Sequence, residues 1–408
     1  MTDDRLGHLL EVAPLLWPDR HIPELGRRSD APSGSVDEFL LLPSARRPRL
    51  LAPTGRRASA AVVRHHGEGR GRPDRLMSAA LALALRAGLG SVLWNRRLRI
   101  STPASPSAPT LAGHLSRVLG SDVVVGMHLG PPRANRKPVL QVLDRAGRTL
   151  AYAKLGVNPL TDSLVRAEAA ALGTLAAARM RGVEVPALLH SGAWSGHDVL
   201  VQSALPVWSA RRQLTTERLV AAVSEIAALG RVDDVALGAS PFWAGLMARL
   251  DGLPAGEPAS RLTGLVRRLA AVAGSEPLSL GAAHGDWAPW NMACLPDRLL
   301  VWDWERFRPL VPVGFDLLHH RLQHDLVGRA RDPLGAARSL IDDAARELGP
   351  LGHSTRTAGV TASLYVADLA ARYLTDNQVE AGARLGDVST YLLPALDRGI
   401  GLLEGEHR

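Results

Sequence analysis

Ala283-His284-Gly285-Asp286-Trp287-Ala288-Pro289-Trp290-Asn291, followed ten residues on by Val301-Trp302-Asp303-Trp304-Glu305, decides the reading of this 408-residue chain. Transfer of a phosphoryl group asks a protein mainly for positioning and charge neutralisation. It needs one carboxylate at the acceptor hydroxyl and hard oxygen ligands that hold Mg²⁺ against nucleotide phosphates. Asp286, Asn291 and Asp303 supply those groups. Residues 292–295 and 299–302 are short apolar runs, and Pro296-Asp297-Arg298 between them is turn chemistry, so the segment reads as a small hairpin. A hairpin brings its ends together, which lets Asn291 at its start and Asp303 at its exit share one ion.

The Asp-x4-Asn spacing of Asp286 and Asn291 matches the catalytic loop of protein kinases, where the Asp meets the hydroxyl proton and the Asn reaches a metal. His-Gly-Asp, a few residues, Asn, then an apolar strand ending in Asp resembles the signature of the aminoglycoside phosphotransferases and their choline-kinase and macrolide-kinase relatives, over about residues 111–400. The resemblance implies a protein-kinase-like fold, with Asp286 as catalytic base, Asn291 and Asp303 on Mg²⁺, and His284 supporting the loop. It also likens Asp316, in Pro312-Val313-Gly314-Phe315-Asp316, to a downstream Asp that fixes the catalytic loop.

Composition points to a further residue. Among 48 basic side chains only Lys137 and Lys154 are lysines, and a lysine kept among arginines marks a place where a compact, flexible ammonium is useful. Lys154 lies in an alternating run over 149–155, which predicts a strand. Glu168 follows fourteen residues later in an Ala-rich helical stretch. A strand lysine on the α/β-phosphates held by a helix glutamate is the geometry a kinase needs. Lys137 reads as part of a solvated turn.

The loop over 128–137 lacks Gly-x-Gly-x-x-Gly, so phosphate contacts there rest on the backbone around Gly130 or on Arg133 and Arg136, with a solvated basic turn as the alternative. Residues 197–206 look like a last N-lobe strand entering a hinge, where backbone groups from Ser203 to Leu205 would pair with adenine. Four of nine tryptophans lie in the catalytic stretch. Trp287 and Trp290 are candidates for stacking on a substrate ring and Glu305 for touching it, while Trp302 and Trp304 read as core.

The expected fold class is α+β. A small α+β module over 1–100 would have strands at 38–42, 49–52 and 91–93 and a helix at 74–87. A Pro/Ser-rich linker over 101–110 leads to an antiparallel N-lobe over 111–206 and a helical C-lobe over 207–408, with helices at 216–229, 259–272, 333–348, 363–374 and 388–403. Residues 1–110 carry 17 basic against 10 acidic side chains, 111–206 carry 10 against 6, and 207–408 carry 21 against 24. A positive N-lobe suits a nucleotide and an acidic C-lobe suits a cationic acceptor.

Arg46, Arg47, Arg49, Arg56, Arg57, Arg96, Arg97 and Arg99 could form an anion-binding face that docks an acidic peptide, or a solvated one. With few aromatics interleaved, nucleic acid is disfavoured. Asp316, His320 and His324 recur every four residues, a stripe that could bind metal but lacks the glutamate of His-Glu-x-x-His. Single Cys294 excludes an internal disulfide framework. With no long apolar span or export signal, the expectation is a cytoplasmic protein with no membrane partner.

The sequence thus supports an ATP- or GTP-dependent, Mg²⁺-requiring O-phosphotransferase for a hydroxylated small molecule, an amino sugar or aminoglycoside first. The alternatives are a kinase of peptide Ser/Thr docked by the basic first block, and a catalytically silent nucleotide-binding scaffold.

Overall fold

A computed structural model describes residues 5–20, 24–27, 36–68, 72–90, 94, 96–101, 109–130, 135–376 and 387–406. The fold is mixed α+β and falls into two compact units, 1–176 with 186–209, and 177–185 with 210–408.

The first unit is built on one nine-stranded antiparallel sheet. Its order is Glu24–Arg27, Arg96–Ser101, Val36–Leu42, Leu50–Pro53, Val124–His128, Val139–Leu143, Thr149–Leu155, His197–Ser203, Leu188–Trp194. The expected separate module is therefore a continuation of the N-lobe sheet: Leu50 pairs with His128 and Leu51 with Met127. The reason lies in the alternation of the strands. Phe39, Leu41, Leu51, Leu98 and Ile100 share one core with Val125, Met127, Leu140 and Val142, so the two blocks bury a common apolar face. Leu40, Leu42, Leu50 and Ala52 point the other way, against the helices Arg56–Glu68 and Arg72–Arg86, through Val62, Val63, Ala82 and Leu85.

The helix Arg56–Glu68 and the strand Arg96–Ser101 were not anticipated, and the expected strand at 91–93 lies outside the described residues. Arg97 and Arg99 do not form an open anion-binding face. Both are buried and turn to Glu38, whose carboxyl they hold below its ordinary value against the opposing effect of burial. Residues 102–108 of the expected linker lie outside the described residues, and Thr110 ends that stretch by capping the helix Leu111–Leu119, its Oγ1 accepting from Gly113 N at 3.1 Å.

The second unit is mainly helical. Four of its expected helices appear at Thr216–Ala227, Glu257–Ala273, Thr355–Thr375 and Val388–Gly405. The expected 333–348 helix is broken into Pro333–Asp342 and Ala344–Leu348, and Pro241–Asp251 and Phe315–Gln323 are additional. Thr355–Thr375 is rich in Ala, Val and Leu and is buried on nearly every side, as a helix without a polar face must be. Two short sheets complete the unit. One pairs Pro277–Ala283 with Val232–Ala236 and Arg308–Pro312; the other is the hairpin Met292–Cys294 and Leu299–Val301, with Val183–Glu184 added in parallel. Among the described residues no helix is long and apolar enough to cross a membrane.

Candidate active site

The strand Pro277–Ala283 delivers the chain to His284, where it turns sharply. Gly285 has φ +78°, and a Cβ there would lie 2.2 Å from the Arg306 carbonyl oxygen, so both conformation and space demand glycine. The turn is held from below by Asp316 at the start of Phe315–Gln323, whose two oxygens accept the backbone N–H groups of His284 and Gly285 at 2.8 and 3.0 Å. Burial pushes the Asp316 carboxyl up, and the backbone N–H groups of His284 and Gly285 pull it back. Fully buried His284 accepts the Asp286 N–H at Nδ1 (3.1 Å), so its Nε2–H donates to the Trp302 carbonyl at 3.0 Å. One imidazole thus joins the loop to the hairpin exit.

Asp286 is held at both oxygens. Asn291 Nδ2 donates to Oδ2 at 3.0 Å and to the Asp286 carbonyl at 3.0 Å, while His319 Nε2 donates to Oδ1 at 2.9 Å. His319 is itself fixed by Tyr365, with 2.9 Å between Nδ1 and the phenol oxygen. Arg372 crosses behind, donating to the Gly285 carbonyl at 2.6 Å. Burial alone would raise the Asp286 carboxyl, but the His319 hydrogen bond and charge, with the charge of Arg372, hold it well below the usual carboxylate range. Its side chain is still 31 % exposed. The result is a fixed, ionised acceptor open to a ligand.

The hairpin register pairs Met292 with Val301, and Trp302 N donates to the Asn291 carbonyl at 3.0 Å, so Asn291 and the segment leading to Asp303 lie at the same end. Asp303 adopts the left-handed region, φ 72° and ψ 54°, a conformation uncommon outside glycine that clusters at functional sites. Because the Asn291 amide nitrogen is spent on Asp286, its oxygen is the atom a cation would take. With the Asp303 carboxylate this makes a hard-oxygen donor set that fits Mg²⁺.

In the first unit Lys154 sits on the interior strand Thr149–Leu155, opposite Val139 and Leu200. The helix Pro159–Ala176 begins at Asn158, whose Oδ1 accepts the Thr161 N–H at 2.9 Å, and carries Glu168 inward. Lys154 Nζ lies 2.6 Å from each Glu168 oxygen, with the lysine 5 % and the glutamate 0 % exposed. The pair is buried and compact.

Other expectations fare differently. Trp287 is fully buried, edge-on to His284 at 5.7 Å, so it packs the loop and has no face for a substrate; Trp290 is 43 % exposed and keeps one. Trp304 is core, its Nε1 donating to the Val301 carbonyl at 3.0 Å, and Glu305 is buried. Gly130 has open space where a Cβ would go, and Arg133 lies outside the described residues. The Ser203 N–H is donated to the Ala187 carbonyl and its hydroxyl accepts the Ala187 N–H, so those groups are not offered to a base; the Leu205 carbonyl accepts from Val207 N. Asp316 is committed to the loop and does not complete a stripe with His320 and His324; the two rings stack 6.2 Å apart, and burial pushes the His320 imidazole down to about 4.

Part of the acidic balance of the second unit is taken up in ion pairs. Asp376 is bonded to Arg306, and Asp368 is bonded to Arg249 and to Arg308, the latter at 2.9 and 2.5 Å. Sequence reasoning missed His319 and Arg372. The signal for His319 was its i,i+3 relation to Asp316, which puts both on one helix face.

No family profile and no curated protein matches the chain. Among solved structures it is similar to a thermostable variant of the aminoglycoside phosphotransferase APH(4)-Ia (14% identity, TM-score 0.47, 71% of this chain and 98% of that one). It is also similar to the choline kinase LicA of Streptococcus pneumoniae (13%, TM-score 0.43, 72% and 98%). A third is a Thermobifida fusca protein described as a fructosamine-3-kinase (18%, TM-score 0.42, 72% and 98%). These neighbours are phosphotransferases, and a ternary complex of the first variant's D198A form holds ADP and hygromycin B. Likeness at this level leaves the chemistry to be read from the chain's own residues.

Proposed function

We propose that the protein is a Mg²⁺-dependent, ATP- or GTP-using O-phosphotransferase acting on a hydroxyl of a small molecule. The observation that carries the reading is the Asp286 carboxylate, ionised, partly exposed and held at both oxygens by Asn291 and His319 on a loop tied down by Asp316. A structural aspartate has no use for so many constraints together with an open face. Its depressed pKa suits a group that orients the acceptor hydroxyl and accepts its proton late, as a loose phosphoryl-transfer transition state requires.

In this reading Lys154, kept in place by Glu168, neutralises the α/β-phosphates. Asn291 and Asp303 would hold Mg²⁺, which when bound neutralises phosphate charge. His284 keeps the Asp286 backbone and the hairpin exit in register. Gly130 and the Leu205 backbone are the remaining candidates for nucleotide contact. Exposed Trp290, at the end of the catalytic loop, offers an indole face for a sugar or a cation, which suits an amino sugar as acceptor.

Asp286→Asn tests the assignment, because it keeps the shape and removes the base. Turnover should fall about 10²–10⁴-fold while nucleotide affinity, measured by isothermal titration, changes little. Normal turnover in that variant sinks the reading. A mass-spectrometric screen of sugars, aminoglycosides and other alcohols for the gain of one phosphoryl group identifies the acceptor.

A further inference from the structure

The helix Arg72–Arg86 packs one side against the first unit's second core through Ala82 and Leu85 and turns the other to solvent. That outer side is apolar. Leu76, Met77 and Leu83 are 73 %, 67 % and 69 % exposed, and Ala79, Ala80 and Ala87 are exposed with them. A single exposed leucine means nothing, but three large side chains on one helix face mark a place that associates. Leu76, Ala80, Leu83 and Ala87 are spaced four, three and four apart, the spacing of a helix–helix seam, and its alternate alanines let a second backbone come close.

Charge selects the occupant. Arg75 and Arg86, both exposed, stand eleven residues apart, about 20° in helical projection, so they line one edge of the seam, while Asp74 falls on the opposite side of the helix. The neighbouring helix Arg56–Glu68 adds exposed Arg56, Arg57 and Arg64. A second copy of this chain offers no complement: antiparallel pairing sets Arg75 against Arg86 of the other copy, and parallel pairing sets the arginine edge against Met77. A lipid surface fits less well, because the stripe is narrow, lacks aromatic residues and has arginines along one edge instead of both.

We propose that Arg72–Arg86 is a docking surface for an acidic amphipathic helix of a partner protein. The partner's apolar ridge fills the Leu76/Leu83 seam and its Asp/Glu edge pairs with Arg75 and Arg86. This surface is independent of which acceptor the active site takes.

The test uses the full chain and two fluorescein-labelled synthetic helices of about three heptads with leucine at the seam positions, one with Glu and one with Lys edges. Fluorescence anisotropy should show the Glu helix binding, the Lys helix not, and binding that weakens as salt rises. Arg75→Glu with Arg86→Glu should weaken it on the order of tenfold or more. Leu83→Glu should abolish it, with thermal midpoint and nucleotide affinity unchanged, since all these side chains are exposed.

The proposal is overturned if neither helix binds, if both bind equally, or if Leu83→Glu has no effect. A dimer in sedimentation that Leu83→Glu splits would instead make the occupant a second copy, and co-sedimentation with phosphatidylserine vesicles without peptide binding would make it a lipid surface; either result also overturns it.

Discussion

At the scale of single residues the loop is a set of local necessities. His284 and Asp286 bond to each other two residues apart, and Gly285 between them must take a left-handed turn under the Arg306 carbonyl. Gly285→Ala combines a left-handed backbone penalty with a steric collision, together roughly 2–5 kcal/mol. Its thermal midpoint should drop by several degrees, and activity should fall with it because Asp286 is displaced. An unchanged midpoint in a calorimetric scan would contradict the loop geometry. Much of this was legible: Asp286, Asn291 and Asp303 declare themselves by type and spacing. His319 did not, because the residue that reaches the Asp286 carboxylate is chosen by how the helix Phe315–Gln323 packs, and the more conspicuous stripe of His320 and His324 faces elsewhere.

Between elements, the Lys154–Glu168 pair joins an interior strand to the helix that packs on it. Removing one partner of a buried pair strands the other charge, at a cost of about 3–5 kcal/mol, whereas replacing both by apolar groups of similar shape is often neutral. Glu168→Leu should therefore destabilise the first unit more than Lys154→Met with Glu168→Leu together, as read by urea denaturation. Both variants should lose nucleotide binding if Lys154 contacts phosphate. A double variant that binds nucleotide normally would remove Lys154 from the proposed role without touching that of Asp286. The strand and helix were readable from alternation and from Ala-rich periodicity, and the rarity of lysine drew attention to Lys154.

For the molecule as a whole, the composition of 101–110 suggested a boundary that the sheet ignores. Leu51 pairs with Met127, and both lie in one core with Leu9, Leu41 and Ile100. A chain starting at residue 111 would bare the edge of Val124–His128 and much of that core, and exposed apolar strand edges aggregate. Deletion of residues 1–110 should thus yield aggregated protein or one that fails to bind nucleotide, as followed by size-exclusion chromatography and titration. A soluble, nucleotide-binding 111–408 fragment would show that the two blocks fold separately. The charge count is blind to pairing in a related way. It sums over each block, whereas Asp368 and Asp376 meet arginines that come from distant parts of the chain.

What the amino-acid order determined by itself was local: the hairpin and the three oxygen-bearing side chains at and before it, the strand under Lys154 and the helix under Glu168. Each follows from residue type, period or spacing over a few neighbours. Only the tertiary structure decided that the first block and the N-lobe are one sheet, that Trp287 is packing and Trp290 surface, and that His319 and Arg372 complete the setting of Asp286. Those outcomes depend on which apolar faces bury each other across tens to hundreds of residues, and the free energy of that burial belongs to pairs of faces that no single stretch of chain contains.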